Sequence, residues 1–186
     1  MSSANKVLSL YTGLAGFELG IFCAGLENLF YPAHFVEMDK YCQSILTNWF
    51  PIVPITPLIQ DFKPLTDYDI VTAGFPCQPH SLAGLRKGTN DNRDLWTETI
   101  NVINQVKPKA FILENVPGLR HTHQGDFFKR VLRNIADAGY DAEWGHTTVA
   151  AVGGVHRRKR IFIIAYPIGF RQSRDAYASK ERADSS

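Results

Sequence analysis

Short apolar runs alternate with stretches of helical spacing along almost the whole chain, and most runs end beside a polar or reactive residue. Val7-Leu8-Ser9-Leu10-Tyr11 precedes Gly13-Leu14-Ala15-Gly16, and His34-Phe35-Val36 ends at Glu37. Leu58-Ile59 precedes Asp61, and Tyr68 to Ala73 leads into Gly74-Phe75-Pro76-Cys77-Gln78-Pro79. Ala110-Phe111-Ile112-Leu113 delivers Glu114, Glu143 to Val149 forms a sixth run, and Ile161 to Ala165 closes the series. Helical patterns separate them: Phe17 to Ala24, Lys40 to Trp49, Leu95 to Val106 and Asp126 to Ala138. Such an alternation folds as an α/β layer structure, a mostly parallel sheet with helices on both faces. The expectation is about seven strands, one of them antiparallel.

That architecture says where to look for chemistry. In an open sheet of this kind, ligands bind outside the carboxyl ends of the strands. A lone cysteine in a tight turn is more often a buried structural residue. Cys77 differs because it stands on a loop stiffened by Pro76 and Pro79, just past a strand, with other chemical residues at matching ends. Glu114 follows four apolar residues and precedes a turn, so partial burial should raise its pKa; a solvated strand-end acid is the alternative.

The first strand, glycine turn and helix read as the opening of a nucleotide-binding unit. Glycines allow close backbone approach, and the helix N-terminus offers free N–H groups. Glu37 lies about 20 residues beyond, where an acid can accept from a ribose diol. Asp39 is placed to cap the next helix. The segment from His80 to Asp94 is polar and long for a loop in a compact domain, which points to a functional segment. His156-Arg157-Arg158-Lys159-Arg160 abuts the last apolar run; such a cluster suits phosphate, and Arg160 is placed to turn into the domain.

Composition narrows the class. The 186 residues carry a net charge of +2, with 45% hydrophobic and 20% charged residues, as in an ordinary soluble domain. No global charge argues for nucleic acid. Cys23, Cys42 and Cys77 share no metal-ligand spacing, so no metal is expected, and without a secretory signal they point to a reducing, cytoplasmic setting. No run reaches transmembrane length, so no membrane partner is expected. One domain over 1–167 is expected, followed by a polar, unpatterned and disordered tail over 168–186.

Gly-Phe-Pro-Cys-Gln at 74–78, Glu-Asn-Val at 114–116 and His-Arg-Arg-Lys-Arg-Ile at 156–161, in this order and spacing, resemble the cytosine-C5 DNA methyltransferase family. The resemblance covers roughly Lys6 to Pro167. It implies a Rossmann-like sheet that binds S-adenosylmethionine, giving S-adenosylhomocysteine as product, and acts on cytosine flipped out of double-stranded DNA. It further implies that Gly13, Leu14 and Gly16 form the cofactor turn and that Phe17 stacks near the adenine. Glu37 would take the ribose hydroxyls and Met38 would pack on the adenine; Asp61 with Phe62 would hold it, and Pro76 belongs to the same set. Cys77 would be the nucleophile and Glu114 the acid at the base's N3. Arg158 and Arg160 would hold the cysteine and the pyrimidine's O2 edge.

The chemistry implied explains those residue types. Carbon 5 of cytosine is a weak nucleophile within its ring. A thiolate adding at C6, with a proton at N3, makes C5 enamine-like and able to take a methyl group. Nearby arginines favour the thiolate, and a stacked base is out of reach, so flipping follows.

The sequence also departs from the family. Ser9 stands where the family often has Asp, Ala15 replaces a common glycine and Met38 a frequent tryptophan. Family members continue past the last strand with a target-recognition region and a helix returning to the cofactor pocket, and only about 20 residues follow Tyr166 here, fewer than a small domain needs. Three readings follow: a catalytic part completed by a second subunit that carries target recognition, a cofactor-binding fragment without activity, and an RNA-directed relative. The last usually carries Pro-Pro-Cys where this chain has Phe75-Pro76-Cys77. Apolar surface that a returning helix would cover is expected to lie bare.

Overall fold

The computed structural model describes residues 4–76, 95–153, 155 and 157–170. Cys77 and His156 lie outside the described residues, as do the polar segment at 78–94 and most of the expected tail. The strands are β1 Asn5–Leu10, β2 Phe30–Val36, β3 Ile55–Thr56, β4 Ile70–Ala73, β5 Ala110–Asn115, β6 Tyr140–Thr148 and β7 Lys159–Pro167. The helices are α1 Gly16–Cys23, α2 Lys40–Trp49, α3 Trp96–Val106 and α4 Asp126–Asp137.

One sheet holds all seven strands in the order β3-β2-β1-β4-β5-β7-β6. β1, β2, β3, β4 and β5 pair in parallel, while β7 is antiparallel to both β5 and β6. β7 is therefore the single reversed strand, as the sequence implied. The chain order reverses between β1 and β4, which is the switch point where such sheets hold ligands.

Neighbouring strand residues point to opposite faces, and the buried residues sort accordingly. One face carries Leu8, Leu10, Val36, Val71, Phe111, Leu113 and Ile163, under Trp96 and Ile103 of α3 and Val131 and Ile135 of α4. Phe35, next to Val36, faces the other way and packs with Ala15 and with Leu46 of α2. Helices thus cover both faces. On this second side Ile164 of β7 is exposed, and so are Leu14, Leu19 and Phe22.

Local chemistry sets several element ends. The Asp39 carboxylate accepts from the Cys42 backbone N–H (2.9 Å), so it caps α2 as the sequence indicates. Gly139 turns the chain after α4 at φ +92°. Asp126 does not cap α4. Gly125, at φ 90°, holds the cap position, and Asp126 is the first helical residue, paired with Lys129 (3.1 Å).

The third strand is a correction. Leu58-Ile59 is not a strand: Ile59–Asp61 forms one 3-10 turn, and β3 is Ile55–Thr56, between Pro54 and Pro57. The two prolines limit β3 to a short edge strand on Phe35 and Val36. Ile59 is apolar because it enters the core. β6 begins at Tyr140, directly after Gly139 and three residues before the expected Glu143, and ends at Thr148, while Val149 starts a 3-10 turn. Trp49 repeats at helical spacing yet lies half exposed. At the other end, the Ile168 N–H donates to the Gly139 carbonyl (3.1 Å), so the chain remains attached to the body past Pro167.

Beneath α3, His34 is buried between Tyr68 (Nδ1 to Oη, 3.0 Å) and Thr56 (Nε2 to Oγ1, 2.8 Å), edge-on to Phe62. Burial pushes its pKa below the ordinary 6.5. No helix among the described residues is long and apolar enough to cross a membrane.

Candidate active site

Because β1, β2, β4 and β5 run parallel, their carboxyl ends share one edge of the sheet. The reversed β7 brings its beginning to that edge: Asn115 pairs with Ile161 and Glu114 with Phe162. Antiparallel pairing is thus what carries the basic cluster to the acid of β5.

The glycine turn lies at the end of β1. Tyr11, Gly13 and Ala15 all have positive φ (54°, 57° and 59°). For Tyr11 and Ala15 that conformation is strained by about 1–2 kcal/mol each, and such strain gathers at sites whose shape matters. The turn is held from β2. Glu37 is buried; its Oε2 accepts from Gly13 N–H (2.7 Å) and its Oε1 from Asp39 N–H (2.8 Å). Gln43 reaches the Glu37 carbonyl (2.7 Å). A carboxylate has about four lone-pair sites, so Glu37 keeps acceptor capacity. A Cβ added at Gly16 would meet no heavy atom within 4 Å, so that side of the turn is open.

The other predicted binding residues scatter in character. Leu14 and Met38 are exposed, as are Asp61 and Pro76. Phe17 lies edge-on to Phe162 (6.4 Å between centroids), which links α1 to β7. Phe62 is a core residue, packed against His34 (5.1 Å) and Tyr68 (6.1 Å). Its ring is therefore fixed by the fold before any ligand arrives.

At the end of β5, Glu114 lies within the strand rather than after it, since β5 extends to Asn115. Its carboxylate is ion-paired with the Arg160 Nε–H. Burial raises the Glu114 pKa, and the charge of Arg158 opposes that. Arg160 also donates to the Lys159 carbonyl (2.9 Å), while Arg158 is exposed. The expectation that Arg160 turns inward and Glu114 is partly desolvated matches this geometry. Gly74 backs onto the pair: a Cβ there would lie 3.5 Å from Glu114 Oε2.

Sequence reading missed two residues. Asn115 is buried; its amide donates to the Phe75 carbonyl (2.9 Å) and its Oδ1 accepts from Val116 N–H (2.8 Å). It clamps the backbone two residues before Cys77 to the strand that carries Glu114. Its signal was a polar side chain at the end of an apolar run. The Tyr11 hydroxyl lies 3.1 Å from both the Leu95 carbonyl and Thr99 Oγ1, which ties the glycine turn to the start of α3. A hydroxyl on an otherwise core-facing ring was its only signal. Among the described residues there is no cluster of three or more metal-ligating side chains.

Residues 5–184 match the family model of C-5 cytosine-specific DNA methylases. This chain belongs to that family. Among curated relatives, it is 35% identical over 164 residues to the type II methyltransferase M.HaeII of Haemophilus aegyptius, covering 87% of this chain and 50% of that one. It is 32% identical over 163 residues to M.NgoBI of Neisseria gonorrhoeae, with the same coverage. The chain thus spans about half the length of these relatives. Its fold is similar to a DNA modification methyltransferase encoded within an Escherichia coli prophage (TM-score 0.73, 20% identity, 90% of this chain and 48% of that one). It is also similar to the S. pombe Dnmt2 methyltransferase (TM-score 0.71, 22% identity, 88% and 51%). The C5-methylase family match and these neighbours agree on a Rossmann-like methyltransferase fold.

Proposed function

We propose that this chain is the catalytic part of a DNA cytosine-C5 methyltransferase that works through a covalent Cys77 adduct. The observation that carries the reading is the Asn115 clamp: one strand presents Glu114 paired with Arg160, and the next residue fixes the backbone leading to Cys77.

The residues at the β1 and β2 ends fit an adenosyl cofactor. The turn at Gly13 and Gly16 leaves open space, Glu37 keeps lone pairs for a ribose diol, exposed Asp61 can accept from a purine amine, and Leu14 and Met38 offer apolar cover. Bound there, S-adenosylmethionine supplies a methyl group activated on a sulfonium. The chain's own residues do the rest. The Cys77 thiolate's electron pair forms a bond to C6 of a flipped cytosine, the C5=C6 pair shifts to C4=C5, and the C4=N3 pair moves onto N3. Glu114, its pKa raised by burial, donates the proton that N3 takes up. Arg160 keeps that carboxyl oriented and stabilises the charge left on it. Once C5 has taken the methyl group, the N3 proton returns to Glu114; a water takes the C5 proton, and that electron pair re-forms the C5=C6 bond as the thiolate leaves.

Arg157, Arg158 and Lys159 are exposed and suit phosphate rather than base edges. Target recognition then falls to a further segment or a second chain. Methyl transfer from labelled S-adenosylmethionine to mixed double-stranded DNA tests the function, and 5-fluorocytosine DNA tests the adduct, because fluorine at C5 blocks the final deprotonation. Wild-type protein, supplied with a recognition partner, should trap a denaturation-stable adduct that Cys77→Ser does not form. An adduct that survives Cys77→Ser overturns the assignment, and cofactor binding with neither transfer nor adduct favours a binding module.

A further inference from the structure

Tyr11 joins the end of β1 to the glycine turn, and its backbone is unusual for its size. At φ 54° it occupies the left-handed region that a glycine adopts without strain and a bulky side chain rarely enters. Strain of this kind persists only where the surroundings impose it, and it points toward a use.

The Tyr11 backbone lies between the two sides of the sheet edge. The Gly74 N–H donates to the Leu10 carbonyl (3.4 Å). A Cβ added at Gly74 would lie 4.0 Å from the Tyr11 carbonyl oxygen and 3.5 Å from Glu114 Oε2. Tyr11 therefore borders the exit of β4 as well as the glycine turn.

Its side chain reaches further, to α3. Leu95 holds the N-cap position of that helix and makes no side-chain cap bond. The Leu95 carbonyl accepts from the Thr99 N–H (3.0 Å) and the Thr99 hydroxyl (2.7 Å), both within the helix. The Tyr11 hydroxyl adds a donor from outside it (3.1 Å) and lies 3.1 Å from Thr99 Oγ1. Thr99 is fully buried. The next residue, Trp96, is also buried, with its ring 5.3 Å from that of Phe75. The Phe75 carbonyl is the one that Asn115 holds. Contacts thus run without a break from the glycine turn, through Tyr11, Leu95 and Trp96, to the backbone two residues before Cys77.

We propose that Tyr11 is a positioning residue whose hydroxyl passes occupancy of the cofactor turn to the start of α3, and so to the Phe75 backbone. The inference rests on the cofactor reading above. A ligand lying on the turn restrains Gly13 and its neighbours. Tyr11 belongs to the same run of left-handed residues, and its rigid ring carries the restraint to the Leu95 carbonyl. Ordering one side in advance lowers the cost of ordering the other. Tyr11 acts through Leu95 and is assigned no contact with cofactor or base.

Contiguity alone does not establish coupling; a ligand-linked change at the far end does. The Thr99 N–H, bonded to the Leu95 carbonyl, reports on that end through its hydrogen exchange. The test adds saturating S-adenosylhomocysteine to the 186-residue chain, confirms binding by calorimetry and follows Thr99 exchange by NMR. Exchange in the parent should slow by about fivefold or more, the lower range of coupling between sites. Tyr11→Phe should fold by circular dichroism and bind the ligand, yet lose the slowing. Thr99→Ser, which keeps a hydroxyl, should retain it. A purely structural tie would alter stability in Tyr11→Phe and leave the ligand-linked slowing in place, and that result overturns the proposal. Binding to the parent without any change at Thr99 overturns it too, while leaving the cofactor site standing. Loss of binding in Tyr11→Phe also overturns it, because the hydroxyl would then shape the site rather than pass on its occupancy. No binding to the parent removes the cofactor reading and this inference together.

Discussion

The Gly13 side and the Glu114 side of one sheet edge are held in different ways. At Gly13, backbone N–H groups of the turn and of Asp39 converge on the single carboxylate of Glu37. At Glu114, a carboxylate is held by a guanidinium from a reversed strand, and a side-chain amide clamps the neighbouring backbone. The first arrangement shapes a surface and leaves its charge to be shared with a ligand. The second keeps opposite charges close in a half-buried setting, where their protonation can change during a reaction. On the function proposed above, shape and proton chemistry would fall to the two sides of this one sheet edge.

Arg160→Ala should separate the two sides most strongly. It leaves Glu114 without its ion-pair partner, and losing such a preorganised group lowers a reaction rate by about 10²–10³-fold. Methyl transfer should fall by that much, while S-adenosylhomocysteine affinity, read by calorimetry, stays within a few fold. Equal loss of both would mean that the two ends are not separable.

Glu37→Ala should show the opposite split. It removes the acceptor for the part-buried Gly13 N–H and Asp39 N–H, and each lost hydrogen bond costs about 0.5–1.5 kcal/mol. Cofactor affinity should drop roughly 10- to 100-fold, on the order of 1.4–2.8 kcal/mol. Trapping of 5-fluorocytosine DNA at saturating cofactor should change much less. A variant that binds like the parent would remove Glu37 from the site.

The alternation of strands and helices was legible because period and apolar runs follow directly from burial; one antiparallel strand was among the expectations, and the structure shows that it is β7. Glu37, Glu114 and Arg160 were legible for the same reason: each borders an apolar run, and the strand fixes where its neighbour points. Contacts that join distant segments were not. Nothing in Asn115 names Phe75 as its acceptor, because the bond spans 40 residues and depends on the β4–β5 register. β3 was misplaced because Ile59, buried in a 3-10 turn, carries the same apolar signal as a strand residue. Glu18 reads as a helix-surface acid, and only the packing of α1 reveals that it is buried.

Away from both ends, His34 and Tyr68 give a smaller, pH-linked effect. The folded chain holds the His34 pKa below 6.5, so the unfolded chain takes up a proton first as pH falls. The stability from neutral His34 is fully present above pH 6.5 and is lost as the pH drops through the folded-state value. Thermal midpoints measured from pH 8 to 5 should decline on the acid side, and His34→Gln should flatten that decline. Tyr68→Phe removes one buried hydroxyl partner and should cost about 1 kcal/mol at pH 7.5. An unchanged pH profile in His34→Gln would show that other groups carry the acid sensitivity.

The smallest expected effect lies inside the glycine turn. Ala15 and Gly13 share nearly the same left-handed backbone, at φ 59° and 57°. Ala15 is fully buried, packed with Phe35 and Leu46. Ala15→Gly relieves about 1–2 kcal/mol of strain, but it removes a buried methyl worth about 0.8 kcal/mol and loosens the unfolded chain by about 0.4–1 kcal/mol. These effects nearly cancel, so denaturant unfolding should shift by less than about 1 kcal/mol. Gly13→Ala is compensated only by a stiffer unfolded chain, worth about 0.4–1 kcal/mol. The nearest atom its Cβ would meet is the Tyr11 carbonyl oxygen, 4.0 Å away. It acquires about 1–2 kcal/mol of strain without a packing gain and should lose up to about 1.6 kcal/mol. If Ala15→Gly instead proves strongly destabilising, the methyl holds the turn against the sheet more firmly than its size implies. The glycine-turn side would then owe its shape to core packing as much as to the Glu37 carboxylate.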